Sequence, residues 1–364
     1  MWLFRYIIIK CMNKYELTLI NECKQDELLV FLNRCFKTDF KRIVPKIYAH
    51  PIVENHYVVR DGERIVGAIC IRYDKWVIKY QTLDIAGIGS VCVDPEYRNQ
   101  GIMTYMLNEA HKIIRDQSDI SILSGNYERY HHFGYERVSS PFRFEIDGES
   151  DKYYFTDIKK LSEEQINDIY VQSQDDVYIK SSLDDFRYSL CQWDYEAYGI
   201  FYNDKICGYI MNNDSEVAEI RVRENIKEVL RSFRRYRGIN YADIAPYEYQ
   251  YINDLDNFKA DKSAISELCR IFNYEKVIEV MLNHKNQYND MPSGEVMIMI
   301  DGYGIIDIKK DYDFSVDKKI SGKYDCFMSE EEFMKYLLNG DFKENLLLDK
   351  WFGINVYLYV KDLI

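Results

Sequence analysis

The chain has 364 residues, 47% of them hydrophobic, and a formal net charge of −13 at pH 7. Because single domains commonly run to about 100–200 residues, the length predicts two or three domains. The acidic balance argues against a protein that binds nucleic acid through a basic surface. It favours a cationic small substrate such as an amine, although an excess of acidic residues can also serve only to keep a protein soluble.

The nine cysteines are odd in number, scattered and without a C-x-x-C pair. This usage is typical of a reduced compartment, so we expect a cytoplasmic protein with neither a disulfide scaffold nor a zinc site. The apolar run from Trp2 to Ile9 is far shorter than the roughly 18–20 residues that span a bilayer, and no cleavage site follows it, so no membrane partner is expected. Met12 begins a more ordinary soluble sequence, and residues 1–11 are either a start extension or an additional edge strand.

Hydrophobic spacing predicts alternating helices and strands over roughly the first 145 residues. Helical spacing covers 24–36 and 101–115, strand patterns cover 83–93 and 120–125, and Asp61-Gly62 marks a hairpin within 56–73. This alternation indicates a mixed α/β or α+β domain.

The hairpin pattern recurs later in the chain. The segment IFYNDKICGYI at 200–210 repeats VVRDGERIVGAI at 58–69, with a strand, a turn, a basic residue and Ile-x-Gly before an apolar exit. A strand and a helix follow it, which indicates a second domain of the same fold.

The pattern changes again from about residue 266. A helix and two strands precede a helix that Ser329 and Glu332 open as a capping box and Gly340 ends. This predicts a small third α+β domain. We therefore place the domain limits at 1–148, 149–265 and 266–364.

The most informative segment is VCVDPEYRNQGIM at 91–103, where Pro95 ends a strand just before an amphipathic helix. The backbone N–H groups from Asn99 to Thr104 converge at the start of that helix, where the helix dipole adds partial positive charge. Gly101 lets a phosphate approach the backbone, and Arg98 can add a charge-assisted contact. The segment predicts a pyrophosphate cradle, although R-x-x-G before a helix can, on its own, be only a turn.

The same segment resembles motif A of the GNAT acetyltransferases, V-x-V-x-P-x-x-R-x-x-G-x-G/A, matched by Val91, Val93, Pro95, Arg98 and Gly101. Met103 replaces the final small residue, as is usual in the enhanced-intracellular-survival branch of that superfamily. The resemblance implies a GNAT fold with a splayed central sheet and acetyl-CoA as cofactor. The cofactor-binding residues that it implies are Val91, Cys92, Val93, Arg98, Asn99, Gln100, Gly101, Ile102, Met103, Thr104, Gly125 and Asn126.

The resemblance to this branch extends loosely over the whole chain. It implies an active GNAT domain, a degenerate second GNAT-like domain and a small sterol-carrier-like C-terminal domain. The second domain has no R-x-x-G-x-G/A after EIRV at 219–222, so we expect it to bind no CoA.

An aromatic turn follows the predicted strand at 120–125. It resembles the GNAT pattern Y-x-x-F-G-F/Y, matched by Tyr130, Phe133, Gly134 and Tyr135. The resemblance implies that Tyr130 is the acid that protonates the leaving thiolate of CoA. A phenol with a pKa of about 10 can donate a proton without being ionised at neutral pH. Tyr127 is the rival for this role.

The general base stays open, because the strand before the motif offers no acid. The alternatives are the terminal carboxylate of Ile364, which the branch resemblance suggests, and a water molecule. No metal is expected, since His131 and His132 are adjacent, point apart and have no further ligand at suitable spacing.

These features predict an N-acetyltransferase that moves an acetyl group from acetyl-CoA directly to a primary amine. The acceptor would be a small cationic amine, an aminoglycoside-like molecule or lysine, and further copies of the chain are a candidate partner. The alternatives are a non-catalytic acyl-CoA-binding or sensor protein of the same fold, and a carrier that holds an apolar ligand in its third domain.

Overall fold

The computed structural model describes residues 15–20, 24–48, 55–263, 267–340 and 345–362. The predicted extension at 1–11 therefore lies outside the described residues. The described strands form sheets of eight, seven and four strands, and helices pack against them, so the α+β class is confirmed. Within these ranges no helix is both long enough and apolar enough to cross a bilayer.

The first sheet is antiparallel except for one parallel pair of strands. Its strands are β1 (Leu17–Leu19), β2 (His56–Asp61), β3 (Arg64–Ile78), β4 (Gln81–Val93), β5 (Ile120–Ser124), β6 (Glu136–Arg137), β9 (Val177–Lys180) and β15 (Glu267–Ile271). The order is β1-β2-β3-β4-β5-β15-β6, with β9 paired to the end of β3. The parallel pair is β4 with β5.

Helices cover both faces of the first sheet. They are α1 (Gln25–Phe36), α2 (Phe40–Ile43), α3 (Pro45–Tyr48), α4 (Ile102–Ile114) and α5 (Tyr127–Tyr130). Helices α1 to α3 pack with Val58 and Ala68 on one face. Helix α4 packs with Val59 and Ile69 on the other. Because successive side chains of a strand point to opposite faces, the apolar runs of β2 and β3 supply both cores.

The second sheet lies between residues 142 and 262. Its strands are β7 (Phe142–Glu145), β8 (Tyr154–Asp157), β10 (Glu196–Tyr202), β11 (Lys205–Asn212), β12 (Glu216–Val222), β13 (Tyr241–Ile244) and β14 (Ala260–Lys262). The order is β14-β7-β13-β12-β11-β10-β8. Its helices are α6 (Glu163–Ser173), α7 (Leu183–Ser189), α8 (Ile226–Arg237) and α9 (Tyr249–Asp254).

The second sheet repeats the connections of the first. Strands β8, β10, β11 and β12 are antiparallel neighbours, as β1 to β4 are. Strand β12 then pairs in parallel with β13 after α8, just as β4 pairs with β5 after α4. The repeated hairpin in the sequence is β10-β11, which occupies the place of β2-β3.

Three strands are exchanged between the predicted domains: β9 and β15 join the first sheet, and β7 joins the second. Strand β15 enters the first sheet between β5 and β6, whereas β7 enters the second sheet between β13 and β14. Each of these strands lies outside the predicted limits, 1–148 or 149–265, of the domain whose sheet it joins. The limits stay predictions, and the exchange ties the first two sheets together.

The third sheet belongs to the C-terminal part of the chain. Its elements are α10 (Tyr274–Asn286), β16 (Gly294–Ile300), β17 (Gly304–Lys310), β18 (Phe314–Lys319), β19 (Cys326–Met328), α11 (Glu330–Asn339) and α12 (Leu346–Trp351). The predicted capping box of Ser329 and Glu332 is present at the start of α11, and Gly340 ends that helix. The chain after α12 is buried with residues of β4 and β5, which brings the C-terminal segment beside the first sheet.

Candidate active site

The parallel strands β4 and β5 separate before β4 ends. They pair from Ile85–Ile120 to Ile88–Leu123, and β4 then continues to Val93 paired only with β3. Among the described strands, none pairs with this last part of β4 on the β5 side. The separation creates a V-shaped opening, and the main-chain groups at its edge have no strand partner among the described residues. This opening corresponds to the splayed sheet that the resemblance implies.

A β-bulge lies where the strands separate. The register of β3 against β4 shifts there, so that Ser90 and Val91 both lie opposite Ile69. Ser90 has a φ of 53°, in the left-handed region that a non-glycine residue rarely adopts. The Tyr48 hydroxyl lies 2.6 Å from Ser90 Oγ and 2.8 Å from His56 Nε2. This contact ties the bulge to α3 and β2.

The loop after β4 is held by a buried carboxylate. Asp94 is 2% exposed, and its carboxylate accepts hydrogen bonds from the Glu96 amide at 3.1 Å, from Arg34 at 2.6 Å and from Arg64 at 2.9 Å. Burial pushes the pKa of Asp94 upward, but the hydrogen bonds from Glu96 and Arg64 and the charge of Arg34 outweigh it and lower the pKa. The two arginines fasten the loop to α1 and β3.

Helix α4 begins at this loop without a side-chain cap. Gly101 precedes it with a φ of 80°, and Asn99 has a φ of 61°, so the chain makes a tight left-handed turn into the helix. The amides of Ile102, Met103 and Thr104 lie in the first turn, where no carbonyl of the same helix is available. With no acidic side chain in that turn, the helix start is suited to an anion.

Tyr130 ends α5 and lies against the first residue after β5. A Cβ atom placed on Gly125 would lie 2.6 Å from Cε2 of the Tyr130 ring, so only glycine leaves room for this ring position. The ring also meets Tyr135 edge to face at 6.2 Å. Burial raises the pKa of Tyr130, and the nearby Cys92 raises it further. Tyr130 is therefore protonated at neutral pH and lies near the end of β4.

Tyr127, the rival acid, is engaged in other contacts. Its hydroxyl lies 2.9 Å from His131 Nδ1 and donates to a Glu136 carboxylate oxygen at 3.1 Å, while Arg137 covers its ring. Burial, followed by the charge of Glu136, raises the pKa of Tyr127 to about 12. The Tyr130 hydroxyl, by contrast, has no hydrogen-bond partner among the residues that the structure describes.

Two cysteines meet beside the same strand. Cys92 projects from β4 toward α1, where its side chain forms a hydrogen bond with Cys35. That bond lowers the pKa of Cys35 to about 7, and the charge of Arg34 contributes in the same direction. The bond and burial raise the pKa of Cys92. The scattered spacing of the cysteines in the sequence gave no sign of this pair.

A narrow cleft of about 20 Å³ opens beside β4 and β5. Most of its walls are apolar side chains of these strands and of β9, but two carboxylates, Asp74 and Asp362, also line it. Asp74 accepts a hydrogen bond from Arg72 at 2.9 Å, and Asp362 accepts one from Lys361 at 2.7 Å. The cleft is therefore apolar with acidic groups at its edge.

Lys46 is buried close to these carboxylates. It is 2% exposed, and burial lowers its pKa although the charges of Asp74 and Asp362 act in the opposite direction. Neither acid was singled out from the sequence, because each approaches the cleft only through tertiary contacts. Ile364, the predicted source of a terminal carboxylate, lies outside the described residues, two positions beyond Asp362.

The predicted site residues come from two segments that the fold brings together. Residues 91–104 form the end of β4, the loop and the start of α4, whereas Gly125, Asn126 and Tyr130 follow β5. Arg98 is exposed and has no ion pair among the described residues. Asn126 precedes α5 in an extended conformation. In the described ranges no group of three His, Cys, Asp or Glu side chains is arranged to hold a metal ion.

Comparison with known families defines the class of protein. Residues 17–138 match the family described as an acetyltransferase (GNAT) domain. Residues 17–138 thus match an acetyltransferase domain and have the fold of the similar solved structures, and the predicted enzyme class, an acyltransferase, is confirmed by the family match.

Several solved structures resemble nearly the whole chain. A GCN5-related N-acetyltransferase from Anabaena variabilis ATCC 29413 superposes with a TM-score of 0.65 at 17% identity, covering 95% of this chain and 98% of its own. A probable N-acyltransferase of unknown function from Enterococcus faecalis V583 gives 0.63 at 14%, covering 94% and 97%. Eis1 from Mycobacterium abscessus gives 0.60 at 11%, covering 90% of each chain. At these identities the likeness concerns the fold. No curated protein matches the sequence significantly.

Proposed function

We propose that this protein is an N-acetyltransferase that transfers an acetyl group directly from acetyl-CoA to a primary amine. The observation that carries the proposal is the uncapped start of α4 at the open end of the splayed strand β4. An anion and an extended chain can be bound side by side there, the first by helix amides and the second by strand main chain.

The residues at this position fit CoA. Its pyrophosphate needs N–H donors and positive charge, which the first-turn amides and the unpaired Arg98 offer, and the turn at Gly101 leaves the approach free of a side chain. Its pantetheine arm needs main-chain partners, which β4 offers from Gly89 to Val93. We propose that residues 91–93 and 98–104, with Gly125 and Asn126, hold the cofactor.

Acetyl-CoA supplies a thioester whose carbonyl an amine attacks and whose thiolate leaves. We propose that the Val91 amide donates a hydrogen bond to the developing oxyanion of the carbonyl. The Tyr130 hydroxyl donates its proton to the leaving sulfur, and its raised pKa keeps that proton on the phenol until it is needed.

The acceptor amine would enter through the apolar cleft edged by Asp74 and Asp362. These carboxylates attract an ammonium group, and either can take part in removing its proton before attack. The terminal carboxylate of Ile364 and a bound water are the other candidates for the base. The amine would be a small cationic molecule, an aminoglycoside-like compound or a lysine side chain, in keeping with the net charge of −13.

We further propose that residues 149–265 are a degenerate GNAT-like domain and that the C-terminal part is sterol-carrier-like. The repeated strand connections from β8 to β13 support the first assignment. The absence of an R-x-x-G-x-G/A sequence after β12 supports a domain without CoA. The α+β arrangement of β16 to β19 with α10 to α12 is compatible with the second.

The direct test measures thiol release from acetyl-CoA with spermidine, an aminoglycoside and a lysine-rich peptide as acceptors. We expect amine-dependent release, and Tyr130→Phe should lower kcat by about 100-fold because a general acid contributes at least that much. Tyr127→Phe is the matched control and should retain activity. Tight CoA binding without turnover over the panel would favour the sensor alternative, and full turnover by Tyr130→Phe would remove the acid assignment.

A further inference from the structure

The second sheet has an opening of its own between β12 and β13. These strands pair only from Glu216–Tyr241 to Val217–Ala242, after which β12 continues to Val222. The position corresponds to the opening between β4 and β5 in the first sheet. The repeated fold therefore places a second potential ligand site at the end of β12.

At this second opening, the main-chain groups of Val222 already form hydrogen bonds within the protein. The Tyr251 hydroxyl, on α9, accepts a hydrogen bond from the Val222 amide at 2.9 Å and donates one to the Val222 carbonyl at 2.6 Å. An extended ligand cannot pair with these groups while Tyr251 holds them. A ligand at the Val222 end of β12 would therefore have to be bound through side chains.

A cavity of about 100 Å³ lies beside Tyr251. Its walls come from the end of α6, from β12, from the segment before α9 and from α10. The polar and aromatic side chains in these walls include Asp176, Arg221, Glu248, Tyr249, His284 and Tyr288. The proposed acetyl transfer does not use this cavity.

His284 presents an unused acceptor in the cavity wall. The residue is 3% exposed, and its Nε2 lies 3.3 Å from the Tyr247 carbonyl oxygen. A carbonyl only accepts, so Nε2 carries the proton and Nδ1 keeps a lone pair. Nδ1 is buried without a hydrogen-bond partner among the described residues. Burial lowers the pKa of His284, which keeps the ring neutral and its acceptor available.

An ammonium group of the protein itself already lies against two residues of the cavity wall. Lys79 Nζ lies 4.8 Å from the centre of the Tyr288 ring and 3.7 Å from an Asp176 carboxylate oxygen. The Tyr288 hydroxyl donates to the same Asp176 carboxylate at 3.3 Å. A carboxylate beside an aromatic face is a favourable environment for a cation.

The cationic side chains in the wall are already paired. Arg221 forms an ion pair with Glu248, and Arg223 lies 3.4 Å from Asp175. These pairs leave no free cation for an anionic ligand among the described lining residues. Among these residues the Asp176 carboxylate is open to a ligand, whereas Nδ1 of His284 is buried from solvent.

We propose that this cavity binds the primary ammonium group of an aliphatic amine, with the Asp176 carboxylate and the face of Tyr288 as its partners. The ligand's ammonium group takes the place that Lys79 holds in the structure described. Lys79 lies in the turn between β3 and β4.

Isothermal titration of 1,5-diaminopentane into the full chain without CoA tests the site. We expect binding by the wild type, and no binding of the isosteric probes 1,5-pentanediol and glutarate. Asp176→Asn should weaken diamine binding about tenfold, because it removes a charge-assisted contact. The matched control Asp168→Asn, at an exposed position on the neighbouring helix α6, should bind as the wild type does.

Two further variants distinguish binding in this cavity from binding in the cleft beside β4 and β5. Lys79→Met should bind the diamine more tightly, because the competing ammonium is gone; weaker binding by this variant would contradict the proposal. Asp74→Asn should leave the Asp176-dependent binding of the diamine unchanged, although it can weaken a separate binding event in the cleft beside β4 and β5. If Asp74→Asn abolishes binding while Asp176→Asn does not, the diamine occupies the first cleft and the proposal is wrong. Absence of binding to both the wild type and Lys79→Met would also overturn it, without bearing on acetyl transfer.

Discussion

The ring of Tyr130 lies so close to Gly125 that a Cβ atom placed on Gly125 would be only 2.6 Å from Cε2 of the ring. The orientation of the proposed acid thus depends on a residue that itself carries no functional group. Because the conflict is with a rigid ring that also packs on Tyr135, a methyl group at this position must displace the phenol.

We therefore predict that Gly125→Ala lowers the rate of acetyl transfer while CoA still binds. A displaced Tyr130 should cost about 10–100-fold in kcat, somewhat less than loss of the hydroxyl itself. Steady-state kinetics with an accepted amine, beside calorimetric titration of CoA, measure both quantities. The double variant Gly125→Ala with Tyr130→Phe should be no slower than Tyr130→Phe alone. Wild-type kcat in Gly125→Ala would show that the ring position is unimportant.

Because Cys35 and Cys92 interact, we predict that Cys35 reacts selectively with a thiol reagent. With its pKa lowered to about 7 by the bond to Cys92, Cys35 should react with iodoacetamide half-maximally near pH 7, because the thiolate is the nucleophile. Peptide mass spectrometry after brief labelling from pH 6 to 9 gives the profile. Cys207, whose pKa burial raises to about 11, is the internal control and should stay unlabelled.

Replacement of Cys92 by alanine tests the cause of that profile. Alanine offers no donor to the Cys35 thiolate, so Cys92→Ala should move the midpoint of Cys35 labelling to higher pH. A midpoint that stays near pH 7 in this variant would assign the shift to Arg34 instead.

From the burial of His56 we predict that the folded protein becomes less stable in weak acid. Burial lowers its pKa to about 4, below the ordinary value of about 6.5, so the unfolded chain binds a proton at higher pH than the folded protein does. The stabilisation is complete above pH 6.5 and is lost as the pH falls toward 4. Over this window His56 should account for up to about 3 kcal/mol of the free energy of unfolding.

Urea unfolding at pH 7.5 and pH 5 measures this contribution. His56→Gln should reduce the difference between the two pH values, because glutamine cannot take up the proton. His132→Gln, at an exposed position, is the matched control. An equal pH dependence in the wild type and in His56→Gln would contradict the assignment.

Local sequence patterns could predict the elements around the site because most of the site is one continuous segment of the chain. Residues 91–104 form a strand, a turn and a helix start, each with its own signal in Pro95, Gly101 and the apolar stripe of α4. One hairpin pattern indicated the repeated strand connections of the second sheet for the same reason, whereas a second GNAT-like domain stays a prediction. These features depend on neighbours within a few residues.

The features that the sequence did not predict depend on distant contacts. No local pattern indicates that Asp94 meets Arg34 and Arg64, or that Asp362 reaches the cleft beside Asp74. The exchange of β7 and β15 likewise depends on which sheet edge each short strand meets after the chain has folded. Strand pattern alone cannot choose between two similar edges.

The central claim is that the start of α4 binds the pyrophosphate of CoA. Isothermal titration of CoA into Gly101→Asp tests it most directly, because the variant places a carboxylate at that helix start. Gly238→Asp is the matched control: its φ of 76° is close to the 80° of Gly101, but it follows α8, far from the loop in sequence. We predict that Gly238→Asp binds CoA like the wild type and that Gly101→Asp binds at least about tenfold more weakly. Equal affinity of all three proteins for CoA, or no binding by the wild type, would contradict the account.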